Sequence, residues 1–147
     1  MIVRWPGKIR PGTQTDHISA FWDIMPTLAE ITGAVIPGHT DGISFLPELT
    51  GRRQPEHKYL YWEFHEQGGK IAVRMGNWKA IKRDIDRIPQ GKTELYNLAD
   101  DMGEINDLSG SNHEIVMELE KIMKEAHTPS EIFPFLSDTL LFNSPSK

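Results

Sequence analysis

No cysteine occurs anywhere in the 147 residues. That excludes a disulfide framework, a thiolate zinc site and a cysteine nucleophile. No apolar run approaches the ~20 residues that a membrane-spanning helix needs, and the first twelve residues, M-I-V-R-W-P-G-K-I-R-P-G, have no signal-peptide core. A dense basic block is also missing: 16 lysines and arginines against 21 acidic residues leave a formal net charge of -5. That is the wrong balance for a surface that must neutralise nucleic-acid phosphates. The short runs of mixed charge read as solvated surface. There is no Gly-rich phosphate loop, no serine elbow and no H-E-x-x-H helix. The residue types therefore assemble no complete catalytic apparatus, and neither a nucleic-acid nor a membrane partner is expected.

What is present is organised around Tyr59 to Leu108. Four short runs of alternating character, separated by turn residues, predict an antiparallel meander. Gly76-Asn77 suits a two-residue primed turn between Met75 and Trp78, which places Val73 opposite Ala80 and Ile71 opposite Lys82. Ile71, Val73, Met75, Trp78 and Ala80 then share one face. In the preceding run Leu60, Trp62 and Phe64 fall on one side, the apolar one. Tyr59, Tyr61, Glu63 and His65 fall on the other. Residues Arg83 to Lys92 read as a charged loop between the third and fourth strands.

The flanks are helical or irregular. Ile2, Val3 and Trp5 read as a strand ending at Pro6-Gly7, which needs a partner from elsewhere, so the chain is expected to be a piece of something longer. His17 to Gly33 predicts a short helix with Ile24, Leu28 and Ile31 on its apolar side. Val35 to Gly51 is loop-like, with Phe45, Leu46 and Leu49 as anchors or a short helical turn. Ser111 and Glu114 form an S-x-x-E capping box. Behind it Ile115, Val116, Leu119, Ile122, Met123 and Ala126 make an apolar stripe, with Pro129 just past the end. That stripe is the natural cover for the sheet, and the fold class is α+β: a four-stranded antiparallel sheet packed on a C-terminal helix, preceded by a strand and a short helix.

Three groups of residues hold potential chemistry. The run His65-Glu66-Gln67-Gly68-Gly69-Lys70 places an imidazole, a carboxylate, an amide and an ammonium on a glycine-rich hairpin loop, suited to a polar anionic ligand. The competing reading is a polar hairpin tip. Asp100 to Asp107 is acidic enough for calcium but lacks the spacing of an EF-hand loop, and a turn capped by its own Asp and Asn side chains explains it better. His17 with Asp23, or His57 with Glu56, pair on paper as acid and base, without a nucleophile or a third orienting group. The four tryptophans, Trp5, Trp22, Trp62 and Trp78, read as core residues.

Taken in order, R-W-P-G-K-I-R-P-G (Arg4 to Gly12), D-I-M-P-T-L-A-E-I-T-G (Asp23 to Gly33), D-G-I-S-F-L-P-E-L-T-G (Asp41 to Gly51), Y-L-Y-W-E-F (Tyr59 to Phe64), A-V-R-M-G-N-W-K (Ala72 to Lys79) and E-L-Y-N-L-A-D-D-M-G-E-I-N-D-L (Glu94 to Leu108) resemble the C-terminal portion of the type I sulfatases, the arylsulfatase family. The resemblance implies that residues 1–51 are the terminal piece of an α/β catalytic domain and residues 52–136 the C-terminal subdomain, with residues 137–147 a mobile tail. It implies sulfate-ester hydrolysis, on a formylglycine made from Cys or Ser in C/S-x-P-x-R and with calcium held by Asp and Asn side chains. That motif and those ligands belong upstream of the R-W-P-G block, so no catalytic and no metal residue is expected in this chain, which alone should be inactive. The implied partners are the upstream catalytic domain of the same polypeptide and a sulfated small molecule or carbohydrate; alone, the chain is expected to self-associate through exposed apolar surface.

By the same resemblance, the loop after the first strand of the subdomain faces the substrate cleft, which nominates His65, Glu66, Gln67, Lys70 and Arg74 as substrate-binding residues. Family habit points to periplasm, exterior or lysosome. The alternatives are a stand-alone binding or scaffold module or a truncated gene product without catalysis, or a phosphonate or phosphate monoester hydrolase of the same superfamily.

Overall fold

The computed structural model describes residues 1–36, 38–88, 91–135 and 138. The expected tail, 137–147, lies outside the described residues except for Asp138. Contacts divide the chain into two units, Met1–Lys58 and Tyr59–Lys147.

In the first unit a 3-10 turn, Phe21–Asp23, leads into α1, Ile24–Thr32, and a single helical turn, α2, spans Leu46–Leu49. The helix expected from His17 begins later, after a 3-10 turn that Asp23 closes: its Oδ2 accepts the Ala20 N–H at 2.7 Å. Asp23 Oδ1 accepts the Ile43 N–H at 2.8 Å, and the Thr27 hydroxyl accepts the Phe45 N–H at 3.0 Å. These polar side chains fix which face of α1 is covered. Pro26 and Thr27 are buried, whereas Leu28, expected on the apolar side, is 55% exposed. Ile2 to Trp5 forms no strand; its backbone has no pairing segment among the described residues, and Ile2 is almost fully exposed.

The second unit contains β1 (Leu60–Phe64), β2 (Lys70–Met75), β3 (Trp78–Arg83), β4 (Thr93–Asn97) and α3 (His113–Ala126). The strands form one antiparallel sheet in the order β1-β2-β3-β4. Val73 pairs with Ala80 and Ile71 with Lys82, as the alternation requires. At the hairpin tip Gly76 takes φ 58°, while Asn77 stays out of the left-handed region. Positive φ at the first central residue alone is the type II′ pattern.

Val73, Ala80 and Leu95 of the sheet pack against Leu119 and Met123 of α3, with Tyr61, Ile71, Met75, Trp78, Ile115, Val116 and Ile122 around them. The helix begins one residue later than the S-x-x-E pattern requires. Asn112 is the N-cap residue, and the Ser111 hydroxyl donates to the Leu108 carbonyl instead of closing a capping box.

The face of β1 is the reverse of the sequence expectation. Tyr61 pairs with Val73 and Glu63 with Ile71, so Tyr61 and Glu63 lie on the face that α3 covers. Leu60, Trp62 and Phe64 lie on the opposite face beside Arg74, Ala72 and Lys70. Side-chain polarity suggested otherwise, but Glu63 is satisfied on that covered face by groups from distant parts of the chain. Of the tryptophans, all four are half-buried rather than fully enclosed.

Candidate functional site

Residues 65–69 connect β1 to β2. Gln67, Gly68 and Gly69 take φ 56°, 88° and 73° in succession, a left-handed run that returns the chain to Lys70. The Gly69 N–H donates to the Glu66 carbonyl at 3.3 Å. Outward, the Gly69 and Gly68 carbonyls accept the Ile85 and Asp86 N–H groups at 3.3 and 3.1 Å. The loop is therefore docked on the turn after β3. A Cβ on Gly69 would lie 2.7 Å from Ile85 Cγ1 and 3.0 Å from Asp86 Oδ2. Gly69→Ala combines a disfavoured left-handed alanine, costing ~1–2 kcal/mol, with that collision. A total loss of about 2–3 kcal/mol is expected in thermal unfolding, together with faster hydrogen exchange at Ile85 and Asp86.

The five nominated residues divide between the two faces of the sheet. Glu66 and Gln67 are exposed at the tip. Lys70 stands on the face away from α3. Its Nζ lies 5.3 Å from the centroid of the Phe64 ring and donates to Gln67 Oε1 at 3.3 Å. Arg74 is on that same face, four residues further along β2 and so ~13 Å away, with its Nε donating to the Gly76 carbonyl at 3.0 Å. The register puts Lys70 opposite Arg83 and Arg74 opposite Lys79. Like charges directly opposite are unfavourable, and carboxylates relieve one member of each pair: Arg83 bonds Glu94 at 2.9 Å, and Lys79 bonds Glu104. Lys70 and Arg74 have no carboxylate partner among the described residues, which leaves their charge available to an anion.

His65 turns the other way. Its ring stacks on Phe135 with centroids 4.0 Å apart and planes inclined by 12°. Nε2 bonds Glu63 Oε2 at 3.1 Å, and Nδ1 is buried with no partner. Glu63 is the hub of this arrangement. Its Oε1 also accepts from the Tyr61 hydroxyl and from His127 Nδ1, the latter at 2.6 Å, while His127 Nε2 bonds Asp138 Oδ1 at 3.1 Å. Burial, reinforced by the neighbouring Glu63, keeps the Tyr61 hydroxyl protonated far above its ordinary range. Burial pushes the His127 pKa down, but its hydrogen bonds to Glu63 and Asp138 outweigh that, and the net shift is upward.

Beside His127 a cavity of about 210 Å³ opens between sheet and helix, lined by Ile71, Lys82, Met123, Lys124 and Phe135 among others. None of Glu63, His127 or Asp138 was marked by a motif. The one local signal was a glutamate in a strand among aromatic residues.

The remaining candidates are structural. Asp23 pairs with neither His17 nor an outside group but with His57 Nε2, at 2.8 Å and almost wholly buried. His57 thus belongs to Asp23, not to its sequence neighbour Glu56. In the acidic turn Asp101 Oδ2 accepts the Ile105 and Asn106 N–H groups, both at 2.8 Å, and Asn97 Oδ1 accepts that of Ala99 at 3.1 Å. It is a self-capped turn. Among the described residues no three His, Cys, Asp or Glu side chains are grouped to hold a metal ion, and no helix is long and apolar enough to cross a membrane.

Comparison with known proteins gives this geometry a context. Residues 1–129 match the family model for N-sulphoglucosamine sulphohydrolase, C-terminal. An uncharacterised sulfatase of Schizosaccharomyces pombe is 29% identical over 99% of this chain, and arylsulfatase A of Bos taurus is 30% identical over 82% of it. The match spans 28% of each of those proteins. Among solved structures, that of Ps i-CgsB in complex with k-i-k-neocarrahexaose superposes with a TM-score of 0.69 at 28% identity, over 82% of this chain and 27% of that one.

Proposed function

This chain belongs to the type I sulfatases, in the part that their C-terminal family model describes, and from that premise we propose that it serves as the C-terminal segment of an enzyme hydrolysing aryl or carbohydrate sulfate esters. Its work there is to complete the fold and to line the substrate cleft. The observation that carries this reading is the match of residues 1–129 to the C-terminal model. In this reading residues 1–51 end an upstream α/β catalytic domain, residues 52–136 are the C-terminal subdomain and 137–147 a tail. Phe21, Met25 and Leu28, all exposed and spaced along one side of the first helical segment, supply apolar surface for that domain to cover. Ile2 to Trp5, which forms no strand among the described residues, supplies a segment for that domain to pair with. The same surface would drive self-association of the chain alone.

Lys70, Gln67 and Glu66 are the proposed contacts to substrate, with Lys70 meeting a sulfate and Phe64 and Gln67 beside it meeting a sugar or aryl ring and its hydroxyls. Arg74 offers a second cation further along the strand. His65 takes part by fastening the root of the loop. The oligosaccharide held by the related Ps i-CgsB supports the carbohydrate side of the reading.

In the family, formylglycine and calcium supply the nucleophile and the cation. The residues here fit neither: the chain has no cysteine and no S-x-P-x-R, and no metal-binding group stands among the described residues. No catalytic step is therefore assigned to this chain, and alone it should release no sulfate.

The test is to read the coding sequence upstream of the Met1 codon in the source and to assay the product of the whole frame. An in-frame extension bearing C/S-x-P-x-R, with sulfate release by its product, is expected. A stop codon immediately upstream would overturn the enzyme reading and leave a binding module or truncated gene product.

A further inference from the structure

We propose that Glu63 is a positioning residue for the 65–70 loop, and that its grip is set by the protonation of His127, so that the loop is fastened at acidic pH and loosened as the pH rises. The proposal rests on the reading of that loop as part of the substrate cleft.

His127 stands between two carboxylates, with Nδ1 2.6 Å from Glu63 and Nε2 3.1 Å from Asp138. A neutral imidazole has one N–H and one bare lone pair. It satisfies one carboxylate and turns a lone pair on the other. Only the imidazolium donates to both while both carboxylates are ionised, so this geometry favours the protonated ring. Glu63 in turn collects three donors from three places: the Tyr61 hydroxyl on its own strand, His65 at the root of the loop and His127 at the end of α3. Phe135 closes the group, stacked on His65 and 5.7 Å from the centroid of His127. Withdrawing the His127 proton leaves a lone pair against one carboxylate oxygen. Whichever nitrogen keeps the remaining proton, Glu63, which also holds His65, loses a charged donor and its grip on the group weakens.

The groups facing His127 are Tyr61 and Glu63 of β1, His65 of the loop and Asp138. Across the cavity are Lys82 of β3 and Glu120 and Lys124 of α3. Lys82 is already engaged by Glu120 at 3.2 Å, so the two carboxylates nearest the ring dominate. Because the folded pKa of His127 is raised from 6.5, the fastening is complete below that value. It is lost as the pH rises through the higher folded value.

The experiment uses the whole chain without substrate. Nitrogen-detected imidazole spectra would follow His127 and His65 from mildly acidic to mildly alkaline pH. Hydrogen exchange, corrected for intrinsic rates, would be read at Ile85 and Asp86, whose amides donate to the loop carbonyls. The expected result is a His127 midpoint above its ordinary value and a several-fold loss of protection at both amides across that same midpoint. In Glu63→Gln, which keeps an acceptor for Tyr61 but loses the charge, the His127 midpoint should fall. In His127→Gln the pH dependence of protection should vanish.

Amides indifferent to the His127 transition, or a midpoint unchanged in Glu63→Gln, would overturn the proposal. Should His127→Gln not fold, the titration of the wild-type chain decides alone. None of these readouts involves sulfate release, so their failure leaves the sulfatase reading standing, and a failed activity assay leaves the latch standing.

Discussion

Leu119→Ala should destabilise the second unit by about 2–5 kcal/mol, the range for removing a fully buried leucine side chain that its neighbours fail to collapse upon. Leu119 is 0% exposed. It projects from α3 into residues of three strands, Val73, Ala80 and Leu95, which are themselves wholly enclosed. Relaxation is restricted because the sheet below is pinned by its hydrogen bonds and the helix above by Met123 and Ile115. For a unit of this size each kcal/mol moves the midpoint by ~4–8 °C, so a fall of roughly 10 °C or more is expected in thermal unfolding. Met117, on the same helix and 63% exposed, is the control: its alanine variant should change stability by no more than about 0.5 kcal/mol. Equal effects at the two positions would mean that α3 does not cover the sheet as described.

The second large effect belongs to Asp23→Ala in the first unit. Asp23 is 1% exposed and accepts from the Ala20 and Ile43 N–H groups and from His57. Removing the carboxylate leaves two backbone donors and an imidazole without partners, at ~1–3 kcal/mol for each buried unsatisfied group. A loss of about 3 kcal/mol or more is expected, with the His57 ring signals moving to those of a free imidazole. An alanine variant within about 0.5 kcal/mol of the parent would show that water replaces the carboxylate at no cost.

For Asp23 the sequence offered only His17 as a partner on paper. Its pairing with His57 was not legible, since 34 residues separate them and no spacing rule connects the two. The β2–β3 register was fully legible: alternation specifies the face, Gly76 specifies the turn, and one residue of slip would expose Val73 and Ala80. The α3 stripe was legible for the same reason, at a different period.

The face of β1 was misread because Tyr61 and Glu63 look like solvent residues. Their burial depends on His127, 64 residues from Glu63, and on Asp138, neither of which has a local signature. Within the candidate loop the two glycines signalled a tight turn. That the turn is docked on Ile85 and Asp86, and that His65 and Lys70 leave it toward opposite faces, are consequences of the pleat and of tertiary contacts. The strand character of Ile2 to Trp5 lies in its β-branched and aromatic residues, but pairing is a property of two segments, and the described residues supply one.

The central claim is that the 65–70 loop of this sulfatase segment meets the substrate through Lys70. Its most direct test is steady-state hydrolysis of a panel of aryl and carbohydrate sulfate esters by the whole reading frame, with Lys70→Ala against the parent. A charge-assisted hydrogen bond of ~1.5–3 kcal/mol predicts that kcat/KM falls roughly tenfold to a hundredfold on the preferred ester. The loss should appear mainly in KM and be smaller on esters that do not reach the loop. Parental kcat/KM on every ester that is cleaved would contradict the claim and move the substrate contacts elsewhere.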